Sequence, residues 1–281
     1  MIAERRVTIK SRAQIEKMAV AGRLVADVLE RLAAAVRPGV ATIELDRIAE
    51  EMVRGAGGVP SFIGVPGRLG SYRHTLCISL NEEVVHGIPG GRRIREGDIV
   101  SVDAGAIVDG WHGDAARTFI VGDVPASTRK LVEATRRAMY AGIAAAVPGR
   151  HLADISGAIE DVAREYGYGI VRSFVGHGIG TEMHEEPQVT NYRSGVRGRR
   201  LEPGLCLAIE PMFTLGSHDV RVKDDGWTVV TADGALAAHW ENTIAITADG
   251  PRILTEQPVG AAAAVPVETT PAASATAARL P

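Results

Sequence analysis

The stretch Ile99-Val100-Ser101-Val102-Asp103-Ala104-Gly105-Ala106-Ile107-Val108-Asp109-Gly110-Trp111-His112-Gly113-Asp114 decides how this chain folds. Asp109-Gly110, set between apolar residues, is a strong two-residue turn signal. A turn centred there pairs Val108 with Trp111, Ile107 with His112 and Gly105 with Asp114. Side chains alternate along a strand, so Asp103 shares a face with Gly105, and Asp114 becomes its diagonal neighbour, roughly 7–8 Å away at the backbone. Two acids at that spacing can lean onto a common cation. Val100 and Val102 take the opposite face, which suits packing beneath helices.

The pattern recurs further along. Leu205-Cys206-Leu207-Ala208-Ile209-Glu210 is a second strand-like run closed by an acid, and Gly204 stands six residues before Glu210 as Gly97 stands six before Asp103. Glu241 follows His239 by two places, as Asp114 follows His112. Pro38-Gly39 and Pro148-Gly149 each end a long amphipathic segment and lead into a second helical stretch. Ile48–Arg54 lines up with Ala158–Arg164, and His86 with Pro89 matches His184 with Pro187. We read two related halves, each with two helices and a group of strands, packed into one body.

Four acids gathered in one place repel one another and resist ionisation without a positive partner. Divalent cations supply one. The nitrogen ligand that stands out is His177, in Gly176-His177-Gly178-Ile179-Gly180, where glycines allow backbone or substrate to approach closely. An isolated His beside Gly is otherwise a structural feature; the acids are what single it out. Oxygen donors with one imidazole suit Mn, Fe(II), Co or Zn in a two-metal hydrolytic site.

Punctuation places the elements. Ser11 with Gln14 forms a capping box ahead of the stripe Ile15, Met18, Ala19, Leu24, Val25, Val28, Leu29 and Leu32, which predicts a helix running up to Pro38. Further helices are expected over about 42–54, from a cap at Ser127 to Pro148, and over about 152–166. Strands are expected over 75–80, 98–103, 116–121, 205–210, 227–230 and 242–247. With 281 residues, 46% of them hydrophobic, the chain can bury a substantial core. A net charge of −3 gives no electrostatic case for nucleic acid or a membrane surface, and Arg92-Arg93 and Arg199-Arg200 read as solvated turns. Cys77 and Cys206 are too few for a disulfide framework and point to a reducing compartment. No run reaches the ~20 apolar residues of a membrane span, so a cytoplasmic protein is expected. Residues 1–257 read as one catalytic domain. The segment 258–281, nearly all Ala, Pro, Thr and Val, reads as a disordered tail.

Five ordered runs then declare a family. Asn81–Pro89, Asp109–Asp114, Gly176–Gly180, His184–Pro187 and Ile209–Met212 strongly resemble the type I methionine aminopeptidases of peptidase family M24, over about residues 9–254. The resemblance implies an α+β pita-bread fold, with two pseudo-symmetric halves and a curved antiparallel sheet covered by helices. It implies two metal ions held by Asp103, Asp114, His177, Glu210 and Glu241, with Asp114 and Glu241 bridging. His86 and His184 would touch substrate, Glu210 would double as proton shuttle, and Tyr72, Cys77, Met183 and Trp227 would line the methionine pocket. The chain departs from the usual pattern over 61–74, where Pro66 and Leu69 stand in place of Cys and Tyr, and at Met183, where Phe is common. The implied activity is removal of initiator methionine from nascent polypeptides with a small second residue, by a monomer in transient contact with the ribosome. The alternatives are an X-Pro peptidase of the same fold and a non-catalytic binding relative.

Overall fold

The computed structural model describes residues 7–256; the tail expected from 258 to 281 lies outside the described residues. The first half comprises α1 (Arg12–Ala35), α2 (Thr42–Gly55), β1 (Val59–Pro60), β2 (Leu76–Leu80), β3 (Glu83–Val85), β4 (Ile99–Val108) and β5 (Trp111–Ile120). The second opens with α3 (Ala126–Ala145), α4 (Leu152–Tyr166), β6 (Gly169–Ile170), β7 (Gly176–Gly178), β8 (Glu185–Val189) and β9 (Cys206–Ile209). It closes with β10 (Met212–Thr214), β11 (Val220–Val222), β12 (Val229–Thr231), β13 (Ala237–His239), β14 (Glu241–Thr247) and β15 (Gly250–Ile253).

The capping box forms as expected: the Gln14 amide donates to Ser11 Oγ at 3.3 Å, and the Ser11 amide to Gln14 Oε1 at 2.8 Å. Ser127, by contrast, caps nothing. Pro125 precedes the first turn of α3, its ring fixing φ at −52°, so the helix starts before Ser127 can act as a cap. The strand expected from Trp227 joins its ladder only at Val229. Asp225 Oδ1 accepts from the amides of Trp227 (2.9 Å) and Thr228 (2.8 Å), and this turn holds the indole out of the sheet.

The internal duplication is visible in the backbone. Gly39 and Gly149 take φ of 88° and 89°, and Gly97 and Gly204 take 86° and 98°, the left-handed region that glycine enters without a Cβ clash. Ala41 bridges Arg93 in one half where His151 bridges Arg200 in the other. The paired arginines do more than face solvent: Arg93 Nη1 donates to Gly39 O (2.6 Å) and Arg200 Nε to Gly149 O (3.3 Å), closing each Pro-Gly turn.

A nine-stranded sheet forms the centre, its main path running β1-β4-β5-β14-β9-β7-β8, with β2 on β4 and β15 on β14; the pairings are antiparallel. Helices cover it in two separate cores. Val25, Leu29, Leu32 and Leu45 pack with Leu76, Val100 and Val102 in the first half. Leu131, Met139, Ile155 and Ile159 pack with Leu205, Leu207 and Ile209 in the second. The β4 face predicted to be apolar, that of Val100 and Val102, is thus the one the helices bury.

Candidate metal centre and substrate cleft

Each of five consecutive strands delivers one candidate ligand: Asp103 on β4, Asp114 on β5, Glu241 opening β14, Glu210 directly after β9, and His177 on β7. Register aligns them. The β4–β5 ladder pairs Val108 with Trp111 and Gly105 with Asp114, as the turn arithmetic required. Ala116 then stands opposite Asp103 on one side and Glu241 on the other, its methyl group leaving space between the two carboxylates. Asn242 pairs with Ile209, which brings Glu210 beside Glu241, and His177 pairs with Ala208. The glycines around His177 are required by close strand packing. A Cβ on Gly176 would lie 2.4 Å from Ala208 O, and one on Gly178 2.2 Å from Glu186 O.

The electrostatics are those of a site built for positive charge. Burial, then the carboxylates of Glu241, Asp103 and Glu210, push Asp114 well above the ordinary range. Glu210 and Glu241 rise for the same two reasons, burial first, and burial lifts Asp103 to about 7. His177 moves the other way, to about 3, through burial and the neighbouring His184. Its Nδ1 lies 2.9 Å from Gly178 O, so that nitrogen carries the proton, and the Nε2 lone pair faces Glu210 Oε1 at 3.5 Å and Asp114 Oδ2 at 3.9 Å. A lone pair aimed at ionised carboxylate oxygens is repulsive unless a cation or a proton stands between them. Asp103 Oδ1, Asp114 Oδ1 and Glu241 Oε1 are buried without a hydrogen-bond donor. Ligand atoms of Asp114, His177 and Glu241 lie within 4.8 Å of one another. Orphaned acceptors of this kind cost free energy as they stand and are satisfied by a divalent ion. The donor set therefore fits the metal that the sequence implies.

Backbone contacts fix the ligands from behind. Asn191 Nδ2 donates to Glu210 O (3.1 Å), Thr243 Oγ1 to Asp114 O (2.8 Å), and the half-buried Arg117 to Glu241 O.

One cleft collects every residue singled out in the sequence: the five ligands, His86 and His184, and Tyr72, Cys77, Met183 and Trp227. His184 packs edge-on against His177 (centroids 4.5 Å) and His86 against Phe174 (5.4 Å). His86 adopts φ of 60°, costly for a residue with a side chain. Its neighbour holds it there, since Gly87 O accepts from Ile78 N (2.8 Å) and Gly87 N donates to Ser79 Oγ (3.1 Å). Tyr72 meets Trp227 edge-to-face at 5.0 Å, and its hydroxyl lies 2.9 Å from Leu76 O and 3.1 Å from Gly87 O. Burial pushes the Tyr72 hydroxyl and the Cys77 thiol up, so both stay protonated and the pocket is uncharged.

Sequence reasoning missed Phe62 and Val65 in this cleft and His239 in the cavity that adjoins it. Phe62 and Val65 complete the apolar pocket, and nothing local marks them, because the loop carrying them has no period. His239 is buried with its Nε2 unpartnered, 3.8 Å from Glu210 Oε2 and 4.0 Å from Glu241 Oε2. Its spacing before Glu241, matching that of His112 before Asp114, was the available signal.

Helices stacked over a curved sheet, with four carboxylates and an imidazole converging from five of its strands, define a metal-dependent hydrolase of the pita-bread class. The model of Metallopeptidase family M24 matches residues 16–248, and the chain belongs to that family. Within it the relatives are methionine aminopeptidases. The chain is 48% identical over 250 residues to "Methionine aminopeptidase" of Clostridium acetobutylicum, covering 89% of this chain and 98% of the relative. It is 49% identical over 253 residues to "Methionine aminopeptidase 1" of Mycobacterium tuberculosis, covering 88% and 94%. The crystal structure of the methionine aminopeptidase from Thermotoga maritima superposes with a TM-score of 0.86 at 42% identity, over 90% of this chain and 100% of that one. A Xaa-Pro dipeptidase from Bacillus anthracis shares the fold alone, with a TM-score of 0.70 at 24% identity over 89% of this chain and 62% of that one.

Proposed function

We propose that this protein is a methionyl aminopeptidase that removes initiator methionine from nascent polypeptides when the second residue is small, using two divalent metal ions. The observation that carries this reading is the His177 lone pair directed into a buried carboxylate cluster at the floor of an uncharged, sulfur- and ring-lined pocket. Asp103, Asp114, His177, Glu210 and Glu241 would hold the ions, with Asp114 and Glu241, the most buried of the acids, as the shared ligands. When bound, such ions polarise a carbonyl and make water acidic enough to react near neutral pH.

The chain's own residues supply the remainder. Tyr72, Cys77, Met183 and Trp227 receive the methionine side chain, with polarisable sulfur and ring edges against its thioether. Burial keeps His86 neutral, at a pKa of about 4, so near neutral pH one of its ring nitrogens is a donor and the other an acceptor. It contacts the backbone nitrogen after the scissile bond. His184 donates to the carbonyl oxygen as negative charge develops there. Glu210, at the cleft wall beside His177, moves the proton from attacking water to the leaving amine, the role the family resemblance implies.

Residues 1–257 act as one catalytic domain in this reading. Among the described residues no helix is long and apolar enough to cross a membrane, and both cysteines are free and buried, which supports action in the reducing cytoplasm.

Purified protein incubated with Met-Ala-Ser, Met-Lys-Ser and an X-Pro peptide, with and without Mn, Co, Fe(II) or Zn, tests the proposal. Methionine release from the first peptide alone, dependent on metal, is expected. Cleavage of the X-Pro peptide would replace the specificity, and silence of the metal-loaded protein on every peptide would reject the activity. His86→Ala and His184→Ala should each lower kcat by about 10²–10³-fold with metal content intact.

A further inference from the structure

We infer that the buried ion pair between Lys10 and Glu185 is a latch that positions the loop presenting Met183 and His184 to the cleft. The latch thereby links the segment ahead of α1 to both methionine recognition and carbonyl activation. The inference rests on the activity proposed above.

Residues 179–184 join β7 to β8 without regular structure, yet they carry two of the side chains on which substrate depends. Glu185 closes this loop on itself. Its Oε1 accepts the amides of Thr181 (3.0 Å) and Glu182 (3.4 Å), so the residues between the carboxylate and the amides it holds are Met183 and His184. Its Oε2 accepts Lys10 Nζ at 2.6 Å and the Thr8 hydroxyl. Both oxygens are thus fully used, and the two charged side chains are only 3% and 7% exposed.

Lys10 is held as firmly as its partner. Its amide donates to Gly204 O at 2.8 Å, on the turn leading into β9 and Glu210. Glycines flank the pair on both sides. A Cβ on Gly180 would lie 2.4 Å from Glu185 Oε1 and 2.6 Å from Lys10 Cε, and one on Gly204 would lie 2.6 Å from Lys10 O. The His112 amide donates to Gly180 O (2.9 Å), anchoring the start of the loop to the strand that bears Asp114.

The physical consequence follows from the cost of a lone buried charge. Removing the Lys10 ammonium leaves the Glu185 carboxylate uncompensated, which is far less favourable than replacing both charges together. The carboxylate then turns toward water and releases the Thr181 and Glu182 amides. Met183 and His184, held between those contacts, lose their placement. Lys10 touches neither substrate nor the reacting atoms, so it is a positioning residue.

The test compares wild type, Lys10→Leu, the double variant Lys10→Leu/Glu185→Gln, and Thr8→Val, all metal-loaded and assayed on Met-Ala-Ser. The second readout is the methionine-methyl NMR spectrum, with the Met183 resonance assigned by Met183→Leu. Lys10→Leu should lower kcat by about 10- to 100-fold, raise KM, shift the Met183 methyl resonance and leave metal content unchanged. The double variant, which removes both charges but keeps an acceptor for the amides, should recover most of the loss. Kinetics within twofold of wild type with an unmoved Met183 resonance would overturn the latch, as would loss of metal from Lys10→Leu. Should Lys10→Leu fail to fold, Thr8→Val decides: a fall of about threefold in kcat/KM is expected, and unchanged kinetics overturn the proposal. A wild type silent on peptides, with the Met183 resonance still moved by Lys10→Leu, would reject the peptidase reading and leave the latch standing.

Discussion

In the N-terminal half, Asp103 and Asp114 are carried by one hairpin, paired without a break from Ile99–Ile120 to Val108–Trp111. In the C-terminal half, Glu210 and Glu241 sit at the ends of the short β9 and the longer β14 and meet because those strands pair across the sheet. Matching sequence patterns therefore deliver their acids by different means: a local turn fixes the first pair, and long-range pairing fixes the second. The halves also differ in what surrounds the acids. Phe62, Tyr72 and Cys77 of the first half form the buried part of the apolar pocket, while the second half supplies the imidazoles of His177, His184 and His239 and the half-buried Trp227 edge. Neither half holds a ligand nitrogen, four carboxylates and a pocket together. The centre exists only at their junction, an economy that duplication followed by divergence of the loops explains.

The sharpest way to break this comparison is to remove one shared ligand from each half. Asp114→Ala and Glu241→Ala should both abolish measurable turnover and weaken metal binding by more than the ~10- to 100-fold typical of residues supporting a ligand, read by metal titration. A large difference between them would show that the halves do not contribute equally.

The second test uses pH. In the metal-free protein the folded-state pKa values of the four carboxyls lie above their unfolded values, so the folded state binds more protons and stability falls as pH rises. Asp103 loses its contribution as pH rises through about 7, and the other three act in the same direction. The buried histidines, His177 at about 3 and His86 at about 4, act oppositely, losing stability only as pH falls below about 6.5. From about pH 6.5, above which the histidines no longer act, through about pH 7, where Asp103 deprotonates, the metal-free protein should therefore unfold at progressively lower temperature in calorimetry, and added divalent metal should abolish that slope. An unchanged slope with metal would mean that the ion binds elsewhere.

A smaller effect is expected in the pocket, where the halves touch through Gly67 and Trp227. A Cβ at Gly67 would lie 2.2 Å from Trp227 Cζ2. Gly67→Ala should push the indole into the cleft and raise KM by about tenfold, within the ~1–3 kcal/mol of overpacking, with kcat little changed. Equal KM values for the two proteins would place Trp227 outside the methionine pocket.

The smallest contrast concerns the helices that open each half. Ser11→Ala removes a working cap and should cost about 1 kcal/mol. Ser127→Ala, inside the first turn of α3, should change stability by less than about 0.5 kcal/mol in denaturant unfolding.

Much of the acid wall could be read directly because it rests on short-range rules. Strand alternation and the Asp109-Gly110 turn place Asp103 and Asp114, and the same pattern seen twice points to Glu210 and Glu241. Helix starts were legible where a side chain makes the cap, at Ser11, and misread where proline takes its place, at Pro125. The Arg92-Arg93 and Arg199-Arg200 pairs are exposed, as read, but the hydrogen bonds of Arg93 to Gly39 O and of Arg200 to Gly149 O were not legible, because those carbonyls are distant in sequence.

The amino-acid sequence by itself determined the helices, the hairpin, the repeated acids and the family motifs, since each depends on neighbours within a turn or a strand. Tertiary structure alone decided that five strands lie side by side in the order that joins both halves, and that the His177 lone pair faces the acids. It also decided that Phe62 and Val65 line the cleft, that His239 lines the cavity beside it, and that Lys10 lies buried against Glu185. The physical reason is burial: which distant groups lose water together is set by chain closure and packing density, and no local pattern encodes that choice.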